Sequence, residues 1–541
     1  MIKTKIIDYI RDCLSDMDIE PCNIIIQKPR NHADVDYATN IALTLSKKLG
    51  QKPIDIALRI KSNLDNYNNG FFEKITIASP GFINLKINPY EYFKNINHVL
   101  KTGDRFGKSK IGKGKNCLVE FVSANPTGPL TIGHGRGAII GEFASRILEW
   151  CGYNVEKEYY FNNAGRQMRI LAESVYARYC EILKIEYNFP EDGYHGKYIY
   201  SIAEKLVQNF PGGLNFESDN EKIKDFAEKI IFIEIKKTLK NLGISFDNFF
   251  NEKNLYEKKK IEQVLIELDK KDLIYDKDGA KWFKATKLNL NQDRVLIKST
   301  GEPTYRLPDI AYHKNKFERN YDLIVDVFGA DHQDAFPDVI GACKALGFDS
   351  EKIKVLVHQF VTVLENGKPI KMSTRKANFI TLNELISKVG SDVVKYFFAM
   401  RGMNSHLNFD LNLAQDESDQ NPVFYIQYAH ARACNILNRA NYDKSTNFEY
   451  KLLGNKEEIS IAIKILSFPD LIIKAKEDME PQIISNYLFE LASSFHHFYA
   501  KHKVISDDKN LTLSRLHLMS ATKQVIKNGL NVLNISAPEK M

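Results

Sequence analysis

Val119-Glu-Phe-Val-Ser-Ala-Asn125-Pro-Thr-Gly-Pro-Leu-Thr131-Ile-Gly133-His134-Gly135-Arg136 is the stretch whose reading decides the fold. It joins an apolar run rich in β-formers (117–122) to a Pro/Gly loop. The loop leads into Ala138-Ile-Ile-Gly-Glu-Phe-Ala-Ser-Arg-Ile-Leu-Glu-Trp150, whose apolar spacing is helical. A strand feeding a glycine-laced helix start is, physically, a nucleotide-phosphate site. The N–H groups of the first turn lack intrahelical partners, and the positive end of the helix dipole faces the same way. A glycine-rich turn alone is weak evidence. Far downstream stands Lys371-Met372-Ser373-Thr374-Arg375-Lys376, a cationic loop, and the two together form a specific pair. Taken singly, His134 reads as a helix-capping or half-buried histidine and the lysine cluster as a solvated loop. Each acquires its functional reading from the other.

Outward from this stretch, the chain from Asn116 alternates strand and helix, as a parallel sheet with crossover helices requires. Further strands are expected at 293–297, 323–328 and 354–358, as the second half of a nucleotide fold. Residues 166–290, polar, lysine-rich and largely helical, read as an insertion between the halves. Upstream, helical spacing over 6–14, a short strand at 23–27, helices over 38–49 and 54–64 (the second opened by Pro53) and a strand-turn-strand over 75–87 make a mixed unit. The glycine- and lysine-rich stretch 101–115 reads as a linker. From about Asn421 the texture is purely helical, with apolar stripes through Tyr425, Tyr428, Ala429, Ala433 and Ile436 and through Ile484, Tyr487, Leu488, Leu491, Phe495 and Phe498. The expected organisation is an N-terminal α+β unit (1–100), an α/β Rossmann-type core (115–390, insertion about 166–290) and an all-α bundle within 391–541.

At 541 residues the chain exceeds one ordinary core. Its formal charge of +7 permits an RNA partner without arguing for one. Seven scattered cysteines, with no C-x-x-C pair and no Cys/His cluster at zinc spacing, read as reduced thiols. The opening Met1-Ile-Lys-Thr-Lys-Ile-Ile-Asp-Tyr-Ile lacks an unbroken apolar core and a cleavage site. No stretch approaches the roughly 18 apolar residues of a membrane span. A cytoplasmic protein with no membrane partner is expected.

Further strings follow in order: Tyr159-Tyr-Phe-Asn-Asn-Ala-Gly165-Arg-Gln167, Tyr275-Asp-Lys-Asp-Gly279-Ala-Lys-Trp282-Phe, and Gly301-Glu-Pro-Thr-Tyr305-Arg-Leu-Pro-Asp309-Ile-Ala-Tyr312-His. After them come Gly329-Ala-Asp331-His332, Asn421-Pro-Val-Phe-Tyr-Ile-Gln-Tyr428-Ala-His-Ala-Arg432 and the ending Ala537-Pro-Glu-Lys-Met541. Over essentially the whole chain this series resembles the arginyl-tRNA synthetase family, class I synthetases whose two signatures are known as HIGH and KMSKS. The resemblance implies ATP-dependent ligation of L-arginine to tRNA(Arg) through an arginyl-adenylate. The partners would be tRNA(Arg) and L-arginine, the cofactors ATP and Mg²⁺ with no dedicated protein metal site, and the chain a monomer. Many members of the family need bound tRNA before activating arginine. Such chemistry forms no covalent enzyme intermediate, so its groups are donors and cations that position substrates and neutralise growing charge.

By the same resemblance, Thr131, His134, Lys371 and Arg375 would serve the phosphates. Gly133, Gly135, Met372 and Ser373 would shape the nucleotide site, and Asp331 and His332 would meet ribose or adenine at the end of a strand. Selecting arginine needs carboxylates facing a planar five-donor guanidinium. The family pattern assigns this to Glu120 and Asp309, with Ser123 and Asn125 on the amino acid's own polar groups and Tyr305 walling the pocket. A lone carboxylate at a strand end reads equally as a surface ion pair. Phe82 and Asn84 would meet an unpaired base near the tRNA elbow, although Phe82 alone reads at least as well as core packing. Tyr499 and Met541 would meet the anticodon. Residues 425–541 hold 15 Lys+Arg against 12 Asp+Glu, so stacking rather than bulk charge must act there.

The chain departs from the family pattern at Thr131 (histidine in the first signature), Thr374, Ala377 (commonly glycine), Gln333 (often histidine) and Asn163 (commonly aspartate). Two rival readings stay open at this point. One is a class I synthetase for another amino acid; the other is a tRNA-binding paralogue without catalysis, which Thr131 and Ala377 would suit.

Overall fold

Five short strands with mutually parallel pairing form the central sheet: β1 (Asn116–Glu120), β2 (Asn154–Phe161), β3 (Asn248–Asn251), β4 (Leu323–Gly329) and β5 (Ile353–His358). Their order is β5-β4-β1-β2-β3. The computed structural model describes residues 2–20, 22–29, 35–370 and 380–541, without the side chain of His332. β1 is central, and Cys117, Leu118 and Val119 are wholly buried. That is why it reads as a continuous apolar run and not as an alternating one. The chain then turns through Val122 and Ser123, both at positive φ (67° and 44°), and enters α1 (Ile132–Trp150). A β-branched residue in the left-handed region is strained, and such strain collects where a loop must aim particular groups.

Helix α1 is buried on nearly every side. Gly141 lets it lie directly against β1's exit: a Cβ there would come within 2.1 Å of the Phe121 side chain. Helices α2 (Arg306–Glu318) and α3 (Phe336–Ala345) flank β4. An antiparallel four-stranded sheet with helices forms the N-terminal unit, and α4 (Pro422–Arg439), α5 (Lys456–Asp478), α6 (Gln482–Lys501) and α7 (Lys509–Val532) pack as a bundle. Among the described residues, no helix is long and apolar enough to cross a membrane.

Some sequence expectations are corrected. Arg294–Ile297 does not resume the central sheet; it pairs antiparallel with Ala280–Phe283, in a separate sheet that Ile274–Lys277 completes. Only Leu296 of that strand is buried, the pattern of a half-covered antiparallel strand. Conversely β3, inside the stretch read as an insertion, supplies the edge of the central sheet. Its four residues are too few to display a period. In the N-terminal unit the expected helix over 38–49 is a strand, Tyr37–Thr39, followed by a helix, Ile41–Leu49, and the strand at 23–27 shortens to Ile26–Gln27.

The contact at Gly141 gives a direct test. Gly141→Ala forces Phe121 or the helix to shift and lowers stability by about 1–3 kcal/mol, read as an earlier urea transition. Gly133→Ala, whose Cβ would meet nothing nearer than Thr131 Oγ1 at 3.7 Å, leaves the transition in place.

Candidate active site

The C-terminal ends of β1, β2, β4 and β5 open on a cavity of about 940 Å³, the position at which open parallel sheets collect ligands. Glu120, Ser123, Asn125, Thr131, Gly133, His134, Tyr305, Asp309 and Asp331 all line it. Residues distant in sequence therefore meet at one place.

At its α1 wall, His134 is both the bland and the functional residue that the sequence offers. Its Nδ1 accepts the Thr131 backbone N–H at 3.1 Å and lies 3.2 Å from Thr131 Oγ1, closing the first turn as a capping box. Enclosure by protein holds the ring's pKa down to about 4, with Asp331 opposing and His358 adding to the drop. The imidazole is thus neutral at pH 7, with its hydrogen on Nε2, and it offers a donor rather than a charge. Gly135 lies buried against Leu382, where a Cβ would come within 2.6 Å of Leu382 Cδ1. Lys371, Met372, Ser373 and Arg375 lie outside the described residues. The chain just beyond them is tied to α1's start: Thr381 bridges Thr131, and the Leu382 N–H donates to the Leu130 carbonyl at 2.8 Å.

The floor is a row of carboxylates. Asp326 on β4 is in register with Glu120 on β1, which is in register with Glu158 on β2. All three are at most 3% exposed, and isolated charges so buried would be very costly. Helix α2 and the residue after it supply the counter-charges. Lys316, wholly buried, donates to Glu120 and, at 2.7 Å, to Asp326. Arg319 forks onto both oxygens of Glu158 at 2.7 Å, and the Tyr312 hydroxyl donates to Glu158 at 2.7 Å. Burial alone would raise the Asp326 pKa, but Lys316 and His313 outweigh it and hold it at about 2. His313 has Nδ1 2.8 Å from the Asp309 carbonyl and Nε2 2.9 Å from Asp326. Both partners are acceptors, so the ring is held between the α2 backbone and the β4 carboxylate.

Two further carboxyls differ. Burial drives Asp309 up to about 7, with Glu252 and Glu120 adding and His313 and Lys316 opposing. Burial likewise raises Glu252, which accepts from the Tyr160 hydroxyl and from Asn162 Nδ2 at 2.8 Å. Among the described residues no ion pair reaches either one. Glu252, Tyr160, His313 and Lys316 are absent from the sequence-derived site. The α2 group was readable, since Asp309, His313 and Lys316 stand at i, i+4 and i+7 on one helix face. Glu252 carries no local signal. Asn125 accepts the Asn162 N–H at 3.0 Å and donates to Gln167 at 3.1 Å. Ser123 donates to Glu120 at 2.8 Å.

The remaining expected residues lie on the outer units. Phe82 is 37% exposed on the strand Phe82–Ile87 and so is not core packing, while Asn84 is half-buried. Tyr499 and Met541 are exposed. The Arg432 guanidinium lies 4.3 Å and 4.8 Å from the ring centres of Tyr428 and Tyr499, a mixed cation–aromatic surface. The tail is held beside it, the Pro538 carbonyl lying 2.8 Å from His430 Nδ1 on α4.

Replacing Lys316 by Met takes from the buried Glu120 and Asp326 the ammonium they share. The expected loss is about 3–5 kcal/mol, measured as a lowered urea midpoint.

Residues 2–87 match the family model of the arginyl tRNA synthetase N terminal domain. Residues 95–395 match that of the tRNA synthetases class I (R) catalytic domain, and 426–541 that of the DALR anticodon binding domain. The arginine–tRNA ligase of Desulfotalea psychrophila is 46% identical over 95% of this chain and 94% of its own, and that of Salinibacter ruber 42% over 99% and 98%. The arginyl-tRNA synthetase structure of Thermus thermophilus, 19% identical, superposes with a TM-score of 0.78 over 100% of both chains, which speaks for the fold. With three family models in order along it and relatives of this similarity over nearly its full length, the chain belongs to the arginyl-tRNA synthetases.

Proposed function

We propose that the cavity activates L-arginine with ATP and passes the arginyl group to tRNA(Arg), with the residues above in the following roles. The observation that supports this most is a pair of cavity carboxyls without an ion pair among the described residues, the half-buried Asp309 and the buried Glu252, beside a helix start that presents a neutral donor. A guanidinium matches such a pair in both charge and fork geometry. Glu120 already has Lys316 and Ser123 on its oxygens, so it completes the floor and orients Ser123 and Asn125 toward the amino acid's polar end. Tyr305 walls the guanidinium.

The arginine carboxylate attacks the α-phosphorus of ATP, and pyrophosphate leaves. A ribose hydroxyl of the 3′-terminal adenosine then attacks the acyl carbon, and AMP leaves. His134 Nε2–H and Thr131 donate to the phosphoryl oxygens. Gly133 admits the nucleotide, Gly135 lets the first turn of α1 pack on Leu382, and Asp331 and His332 take the ribose side. Lys371 and Arg375, with Met372 and Ser373, carry charge to the β- and γ-phosphates. Mg²⁺ would be held largely by the nucleotide's own phosphates, not by a dedicated protein site, and would neutralise charge there. Phe82 and Asn84 meet the tRNA elbow, and Tyr499 and Met541 the anticodon. We take the chain to act as a cytoplasmic monomer.

Exchange of pyrophosphate into ATP, with and without tRNA(Arg), tests the reading. Arginine alone among amino acids should support it; exchange driven only by another amino acid, or tRNA binding with no exchange, contradicts it.

Guanidinium binding needs Asp309 ionised. As pH rises from 6 to 8 through its value near 7, the ionised fraction and the affinity rise together, and the KM for arginine falls about tenfold. The groups facing Asp309 are His313 and Lys316 on its own helix, Glu120, Glu252, Tyr160 and Tyr256. Asp309→Asn raises the KM by about 100-fold or more and flattens the profile. A wild-type profile equally flat rules out this role. For the anticodon face, Tyr499→Ala weakens tRNA by the loss of one stacking partner, about 1–3 kcal/mol. It leaves exchange at saturating tRNA unchanged.

A further inference from the structure

Arg294 and Arg306 are the only lysine or arginine residues among those described as lining the cavity, and they are arranged unusually. One comes from the strand Arg294–Ile297, the other from the first position of α2. Both direct Nε to the same oxygen of one carboxylate, Asp338 Oδ2, at 2.9 Å and 3.0 Å. Asp338 is 3% exposed. Among the described residues, no other hydrogen bond or ion pair reaches either guanidinium. None of their nitrogens is both buried and unpartnered, and both residues line the cavity.

As a structural clamp the arrangement is one cation too many. Either arginine alone would pair Asp338; the second adds like-charge repulsion at the shared oxygen and keeps a surplus positive charge beside the cavity. That surplus is stabilised only when a second anion arrives. Guanidiniums with free forked donors match phosphate. The reactants proposed for this cavity bring two kinds of phosphate: the triphosphate of ATP and the phosphodiester that joins the last nucleotide of the tRNA.

Resting on the adenylate-forming reading of the cavity, we propose that Arg294 and Arg306, held on Asp338, form a phosphate-binding station for an incoming nucleotide. The pair leaves the carboxylate pocket to the amino acid and grips the polyanion from two elements that follow β3 in the chain.

The test uses the full chain carrying Arg294→Gln with Arg306→Gln, and a second version with lysine at both positions. Affinity for ATP is measured by equilibrium dialysis. Affinity for tRNA(Arg) transcripts with and without the 3′-terminal adenosine is measured by filter binding at fixed salt. The glutamine pair should weaken one ligand at least tenfold while the arginine KM moves less than threefold, and the lysine pair should recover most of the loss. Weaker ATP identifies the triphosphate as the ligand. A loss confined to the complete transcript identifies the terminal phosphodiester. Should the glutamine pair lose its fold, Arg306→Gln alone, which leaves Arg294 on Asp338, carries the same comparison.

Folded variants that bind ATP and both transcripts within twofold of the unmodified chain overturn the proposal. So does a loss that the lysine pair shares together with a lowered unfolding temperature, which marks a structural clamp. An unmodified chain without arginine-dependent exchange overturns the adenylate reading itself, a separate result.

Discussion

Three buried carboxylates abreast on three neighbouring parallel strands are the constraint on which the rest of the site depends. Asp326, Glu120 and Glu158 lie at one level of the sheet, and the fold can keep them there only by laying α2 across them. Lys316 answers the first two, Arg319 and Tyr312 the third, and His313 closes the Asp326 side. A buried ion cluster of this kind is weak evidence for stability, because its desolvation cost rivals its attraction. What it provides is geometry. It fixes the rotation and height of α2, and with them Asp309 and Tyr305 at the helix's cavity end.

The internal cluster is committed to its own partners, and this gives the cavity its selectivity. With Lys316 on Glu120 and Asp326, His313 on Asp326 and Arg319 on Glu158, the carboxyls beside them without an ion pair among the described residues are Asp309 and Glu252. Burial raises both, Asp309 to about 7, so near neutral pH the Asp309 carboxyl holds a proton part of the time, and a guanidinium displaces it. A flexible ammonium offers one point charge to two carboxyls and leaves polar groups unpaired, the condition under which rejection is large. At the other end of the cavity the chain uses little charge. A neutral histidine, half cap and half donor, starts a helix whose own dipole and N–H groups face the nucleotide.

The parts of the fold that were legible in the sequence are those with a period or a punctuation mark. β1, the Pro/Gly loop and α1 announce themselves by composition, and the α4–α7 bundle by its apolar stripes. Arg294–Ile297 misled because a short strand with one buried position looks the same in either kind of sheet, and β3 is too short to signal at all. In the site, Glu120, Asp309 and His134 were reachable through a resemblance. Lys316 was reachable through helix spacing, two turns on from Asp309 along one face. Glu252 was not, since its meaning lies wholly in which distant hydroxyl and amide surround it. Nor could exposure of Phe82 be read from its neighbours, because an aromatic in an alternating strand suits either face until the partner strand is known.

Two uncommitted carboxyls, of which Asp309 is partly protonated near neutral pH, await the guanidinium. Calorimetric titration of arginine into the tRNA-bound chain, repeated in buffers of different ionisation enthalpy, counts the protons that move on binding. At pH 7 the account predicts release of about half a proton per site from Asp309, fading by pH 9, with citrulline, the uncharged isostere, failing to bind. Arginine binding with no proton release between pH 6 and 8, or citrulline binding as tightly as arginine, would contradict it.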